Sequence, residues 1–162
     1  MAERVSFTRT APRAEIYAEL TPQIEALIRG ETDVIANLAN VAAVLKEAFA
    51  FFWVGFYIEK EGDLVLGPFQ GPIACTRIKP ERGVCGFAYS KKETVVVPDV
   101  EKFPGHIACS SNAKSEIVVP IFNGERVFGV LDVDSDLPED FTAADKTGLE
   151  TIVKIIEQTL NE

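Results

Sequence analysis

The sequence predicts an α+β domain: a central antiparallel β-sheet flanked by helices on both faces. Three observations predict it. Helical periodicity at either end of the chain encloses a middle that alternates with period two. Residues 51–58 are apolar on both faces of a strand, so that strand is covered on both sides. A second strand pair turns around Asn123-Gly124. The 162 residues fit one domain, read as a single unit over 1–162 with a loosely ordered segment at 1–12.

Residues 13–29 read as helix. Thr21-Pro22 punctuates it, and two short helices would put the proline near a first turn. Thr32 is placed to cap a longer helix, in which Val34, Leu38, Val41, Leu45 and Phe49 recur at helical spacing. In the strand that follows, Phe51, Trp53, Gly55 and Tyr57 share one face, and Phe52, Val54, Phe56 and Ile58 the other. Glu61-Gly62-Asp63 turns the chain into a partner at 64–66. A short strand at 73–78, a helix from Gly83 through Tyr89 and a β-branched strand at 94–97 come next. Residues 98–112 read as loop, broken by Pro104-Gly105.

Residues 115–122 and 126–134 form the second hairpin, and its register decides which side chains meet. A two-residue turn would put Glu116 and Asp132 on opposite faces. A three-residue loop, 123–125, sets Glu116 opposite Asp132 with Asp134 diagonal. It also gathers Ile117, Val119, Ile121, Val127 and Leu131 on one face, and is preferred for that reason. Thr142-Ala-Ala-Asp145 reads as a capping box opening a last helix, with Leu149, Ile152, Ile156 and Leu160 as its apolar stripe.

The apolar fraction of 47% and charged fraction of 25% are those of an ordinary globular chain. A net charge of −9 argues against nucleic acid or an anionic membrane as partner, because both need Lys and Arg facing phosphate. No stretch is long and apolar enough to span a membrane, and nothing at the N-terminus reads as a signal peptide. A cytoplasmic address follows, where Cys75, Cys85 and Cys109 stay thiols unless they work as redox groups or ligands.

Glu116, Asp132 and Asp134 on one sheet face would repel, and one should stay protonated unless a cation, such as an ammonium or a metal ion, balances them. A solvated sheet face is the plainer account of the same spacing. Trp53 and Tyr57 flank Gly55, whose missing side chain leaves a gap a ligand could enter; core packing is the alternative. His106 and the three cysteines could make a zinc site, yet there is no Cys-x-x-Cys knuckle and the ligands come from separate segments. His106 reads rather as a loop residue that bonds backbone or tunes Cys109. Cys109 lies in a polar loop where a reactive thiol belongs; Cys85 sits between Gly83 and Gly86; Cys75 lies in an apolar strand and looks buried.

The run Gly67-Pro68-Phe69-Gln70-Gly71-Pro72-Ile73-Ala74-Cys75-Thr76-Arg77-Ile78, followed by Gly83-Val84-Cys85-Gly86, resembles the free methionine-(R)-sulfoxide reductases, single-domain proteins of the GAF type. So do Phe103-Pro104-Gly105-His106-Ile107-Ala108-Cys109, Ser115-Glu116-Ile117-Val118-Val119-Pro120 and Gly129-Val130-Leu131-Asp132-Val133-Asp134-Ser135. The resemblance covers nearly the whole chain from about residue 15. It departs at Glu81, where the family carries glycine.

The resemblance implies a GAF-type sheet flanked by helices, a homodimer, and an enzyme without metal or organic cofactor. It implies Cys109 as nucleophile, Cys75 and Cys85 as recycling cysteines, and Cys75 as the favoured partner with both kept open. Trp53 and Tyr57 would line the substrate pocket, with Glu116, Asp132 and Asp134 as its acidic wall and Glu116 as candidate acid. The implied reaction reduces free methionine sulfoxide through a sulfenic acid and a disulfide that thioredoxin restores. Two other readings compete: a ligand-binding GAF module whose thiols are incidental, and a thiol redox sensor that forms the disulfide with peroxide.

Overall fold

A computed structural model describes residues 4–107, 109 and 112–160. Helices α1 (Arg13–Ile28) and α2 (Val34–Phe49) precede strands β1 (Trp53–Lys60), β2 (Asp63–Gln70) and β3 (Arg77–Ile78). Helix α3 (Gly83–Lys91), strand β4 (Val95–Val97), strands β5 (Ser115–Asn123) and β6 (Arg126–Ser135) and helix α4 (Ala143–Leu160) complete the chain. The six strands form one antiparallel sheet in the order β3-β2-β1-β6-β5-β4.

The α+β architecture is as the pattern predicts, with β1 central and apolar on both faces. Its Val54, Phe56 and Ile58 enter the larger core with α1, α2 and α4; its Trp53 and Tyr57 enter a smaller core under α3. Phe51 and Phe52 precede the strand rather than belong to it, and they depart from the predicted alternation. Phe51 joins the larger core and Phe52 packs on the smaller one.

Helix α1 is one continuous helix, not two. Thr21 Oγ1 and Gln23 Nε2 donate to the carbonyls of Tyr17 and Glu19, on either side of the one that Pro22 leaves without its donor. The α2 cap is Asp33 rather than Thr32: its carboxylate accepts from Ala36 N at 2.9 Å. The capping box of α4 forms, with Asp145 accepting from Thr142 N at 2.9 Å and Thr142 Oγ1 from Ala144 N at 3.3 Å. Within the segment read as loose, Ser6 and Thr8 bond the side chains of Gln23 and Glu19, and Val5 and Phe7 pack on the larger core.

Both hairpins use two-residue turns, and each then carries a bulge. In the first, Lys60 pairs with Asp63 and the register shifts at Gly67-Pro68, so Phe69 joins Leu64 and Leu66 on the smaller-core side. In the second, Asn123 pairs with Arg126 around Gly124, which has φ +67°. A shift beside Phe122 then pairs Ile121 with Gly129, and this puts Glu116 opposite Asp134, with Val118 opposite Asp132. The predicted Glu116–Asp132 pairing is therefore displaced by two residues, while the shared face survives. Val127 belongs to neither core cluster; Phe128 and Val133 stand on the larger core's side. The strand read at 73–78 shrinks to Arg77–Ile78, and residues 71–76 are irregular. A 3-10 turn, Val100–Lys102, interrupts the long loop.

Lys79-Pro80-Glu81-Arg82 is a turn closed by Arg82 N to Lys79 O at 3.1 Å, with Glu81 at φ +65°. Proline followed by a positive φ is the type II arrangement, which asks for glycine at its third position. This explains the glycine expected there from the resemblance. We expect Glu81→Gly to raise stability by about 0.5–1 kcal/mol, because relieved left-handed strain exceeds the added unfolded-chain entropy. Thermal denaturation checks this; a loss of about 1 kcal/mol or more would mean that the Glu81 side chain stabilises the turn.

Candidate functional site

The smaller core is not filled to its end. β1, β6 and β5 lie side by side, and on one face they present three rows: Trp53, Gly55 and Tyr57; Asp134, Asp132 and Val130; Glu116 and Val118. Helix α3 covers these rows and directs Cys85 into them. Gly83 N donates to Gly105 O at 3.2 Å, which ties residues 103–107 to the start of α3, and His106 and Cys109 reach the same place. A cavity of about 50 Å³ remains, room for several waters. It is bounded by Trp53, Tyr57, Cys85, Cys109 and the three carboxylates, and Arg82 stands at its wall.

The aromatic pair is less open than its spacing predicts. A Cβ on Gly55 would lie 2.3 Å from Phe69 Cβ and 2.6 Å from the Trp53 ring, so the gap over Gly55 is occupied by protein. Trp53 stacks between Phe69 and Tyr57, with ring centroids at 5.3 and 6.0 Å. Both aromatics also spend their polar atoms on backbone: Trp53 Nε1 donates to Pro72 O at 3.1 Å and Tyr57 Oη to Cys75 O at 2.9 Å.

Cys75 and Cys109 form a disulfide, with Cα atoms 5.5 Å apart. The zinc centre of three cysteines and His106 is thereby ruled out in this state, because two of its four ligands bond to each other. Cys85 is a free, buried thiol whose Sγ lies 4.0 Å from Glu116 Oε1. Its sulfur and an oxygen each of Glu116 and Asp132 lie within 4.8 Å of one another, close enough for one cation to be shared. His106 Nε2 is 4.0 Å from Glu116 Oε2, but burial pushes the imidazole pKa down, so near neutral pH this is a dipolar contact.

The chain matches the GAF domain family over residues 33–160. It belongs to the GAF family. It is 56% identical to "GAF domain-containing protein A" of Dictyostelium discoideum, over 97% of this chain and 99% of that protein. It is 44% identical to the free methionine-R-sulfoxide reductase of Escherichia coli, over 91% of this chain and 90% of that one. A crystal structure of the Neisseria meningitidis free methionine-R-sulfoxide reductase with its substrate superposes with a TM-score of 0.95 at 52% identity, covering 98% of this chain and 95% of that one.

On this face the chain buries carboxyl groups beside its apolar side chains. Glu116 and Asp132 are each 6% exposed and Asp134 is half-buried. Burial, then the neighbouring Asp132 and Asp134, pushes the Glu116 pKa well above the ordinary carboxyl range. Asp134 is raised by burial and by Asp132, and Asp132 by burial, although Glu116 and Cys85 pull it back through hydrogen bonds. Asp132 Oδ1 is buried without a partner. Cys85 is pushed well up by burial and then by the same carboxylates, so it stays a thiol. Together these groups form a cavity prepared for a positive charge.

Of the residues singled out in the sequence, Trp53, Tyr57, Cys85, Cys109, Glu116, Asp132 and Asp134 line the cavity, and Cys75 is joined to it through the disulfide. Arg82 is the one the sequence reading missed; its only signal was its place directly before Gly83-Val84-Cys85.

Carboxyls with raised folded pKa values stabilise the fold fully below the ordinary carboxyl range, and lose that contribution as pH rises through the raised values. We expect the Tm of the ligand-free protein to fall across that window, and Glu116→Gln to flatten the fall. A wild-type Tm that climbs across the same window would mean the carboxyls ionise without cost.

Proposed function

We propose that this chain is a thiol-dependent oxidoreductase that reduces free L-methionine-(R)-sulfoxide to methionine. The observation that carries this reading is a disulfide, Cys75–Cys109, at the wall of a cavity whose floor is buried carboxyls. Relatives at 40% and 44% identity bear the name free methionine-R-sulfoxide reductase, and this supports the same substrate here.

Free methionine sulfoxide carries an α-ammonium, which becomes an uncharged amide inside a peptide. The carboxyl wall therefore binds the free amino acid and rejects the peptide-bound residue, which would leave Asp132 Oδ1 still unpartnered. Arg82 offers the α-carboxylate a guanidinium at the cavity wall. The rings of Trp53 and Tyr57 receive the terminal methyl, which fixes the face of the chiral sulfur that meets Cys109.

Cys109 thiolate attacks the sulfoxide sulfur. Glu116, held protonated by burial and its acidic neighbours, donates to the departing oxygen. The oxygen then passes from the methionine sulfur to the Cys109 sulfur. The sulfoxide S–O bond and the transient S–S bond break, an S–O bond to Cys109 forms, methionine leaves with the electron pair, and Cys109 is left as a sulfenic acid. Cys75 thiol displaces that oxygen as water, giving the disulfide, and an external dithiol such as thioredoxin returns both thiols. Cys85 is the second recycling cysteine of this scheme, and burial among the carboxyls makes it the slower one. No resident metal or organic cofactor takes part. The whole chain acts as one GAF-type unit in a homodimer, in the reducing cytoplasm.

Reduced protein mixed with the R epimer of free methionine sulfoxide should lose two thiols and release one methionine. The S epimer, and a peptide holding the oxidised residue, should do neither. Cys109→Ser should abolish release, and Glu116→Gln should lower kcat/KM by about 10²–10⁴-fold, the range for a lost general acid. Rapid thiol loss with low peroxide, together with no methionine released from the sulfoxide, would instead favour a redox sensor.

A further inference from the structure

We infer that Trp53 and Tyr57 are positioning residues for the resolving step: their polar atoms fix the segment 72–75 so that Cys75 lies ready beside Cys109. Residues 71–76 form no regular strand. Ile73 in the middle of this segment is 90% exposed, so it does not anchor the segment through the core. At the far end Leu66 N holds Thr76 O at 3.0 Å. Between these points Ala74 and Cys75 pack on the smaller core, and among the described residues the hydrogen bonds to the sheet are Trp53 Nε1 to Pro72 O and Tyr57 Oη to Cys75 O, at 3.1 and 2.9 Å. The disulfide supplies a further tie, but only after the reaction it is meant to follow. Neither side-chain bond involves a sulfur atom, so both are available to hold the segment before the disulfide forms.

Both donors sit on β1, the strand buried on each face, and their rings stack on each other and on Phe69. The clamp is therefore as rigid as the sheet. Gly71, at φ +143°, lets the chain pass directly over the indole, since a Cβ there would lie 2.6 Å from the Trp53 ring. Burial pushes the Tyr57 phenol pKa up, so the hydroxyl remains a donor at neutral pH. Ring faces thus serve the cavity while the hydroxyl and indole N–H serve the cysteine segment. The assisted step is Cys109–SOH plus Cys75–SH giving the disulfide and water; the Cys75 proton leaves with the hydroxide.

The inference rests on the proposed reaction for its setting, and its test does not. Tyr57→Phe and Trp53→Phe each remove one donor and keep an aromatic ring. Reduced wild type and both variants are oxidised in parallel, with one equivalent of hydrogen peroxide and with the R epimer of methionine sulfoxide. Samples are quenched in time for thiol count, for methionine and for the dimedone adduct of Cys109. Losing one hydrogen bond should slow disulfide formation roughly three- to tenfold in each variant. The Cys109 adduct should accumulate with either oxidant, and in the peroxide arm, where no substrate fills the cavity, the ratio of adduct to disulfide should rise above that of wild type. Disulfide closure as fast as wild type in both variants, or slowing confined to methionine release, overturns the inference. Wild type that closes the disulfide with peroxide yet releases no methionine overturns the proposed function alone, and the peroxide arm still decides the clamp.

Discussion

Three carboxyls on one face of two adjacent strands, two of them buried together with a thiol, cannot all ionise unless something positive joins them. The rest of the site follows from that constraint. Without a cation, protons must be retained, and Glu116 with Asp134 shows the larger upward shifts. With an ammonium present, the same cluster gains a partner for the one buried oxygen that lacks any. Groups that are costly in the empty cavity become favourable when a cation joins them, and the proposed discrimination between a free amino acid and a residue in a chain rests on that desolvation.

The sheet makes this tolerable by dividing labour between its faces. The larger core takes α1, α2 and α4 together with Val54, Phe56, Ile58, Ile117, Val119, Leu131 and Val133, nearly all aliphatic. This is ordinary close packing, and stability can be drawn from it. The opposite face carries only α3 and loops, and there polar groups and a cavity replace hydrocarbon. β1 joins the two: every second side chain goes to the core, and the alternate ones, Trp53 and Tyr57, go to the site. A site built on the most buried strand has little freedom to drift.

Much of this was legible because periodicity survives local error. The face shared by Glu116, Asp132 and Asp134 was read correctly although the predicted pairing was off by two, because side chains alternate and only a shift of odd number would have separated them. What escaped was the bulge beside Phe122, which no residue type announces, and the shift at Gly67-Pro68, where a glycine and a proline inside a strand did mark it. Pro22 misled because its neighbours Thr21 and Gln23 supply donors locally, a compensation visible only in three dimensions. Asp33 and Thr32 are both competent caps, and adjacency alone could not choose between them. The gap over Gly55 was misjudged because its occupant, Phe69, arrives from a bulged strand.

The three cysteines separate by environment rather than by sequence. Cys85 is enclosed by α3 and the acidic wall, and each nearby carboxyl makes its thiolate less favourable. A thiol so held is a poor nucleophile and a poor resolver, whatever its distance. It is well suited instead to donate towards Glu116 at 4.0 Å. Cys75 and Cys109 sit half-buried, Cys75 on an irregular segment and Cys109 lining the cavity. A reductase of this kind needs one thiol facing its substrate and a second exposed enough for an external dithiol to attack. Placing Cys75 on the irregular run 71–76 and Cys109 at the cavity, both beside a rigid sheet, satisfies both needs, provided something keeps the two sulfurs in register. The aromatic donors of β1 are in position to do that.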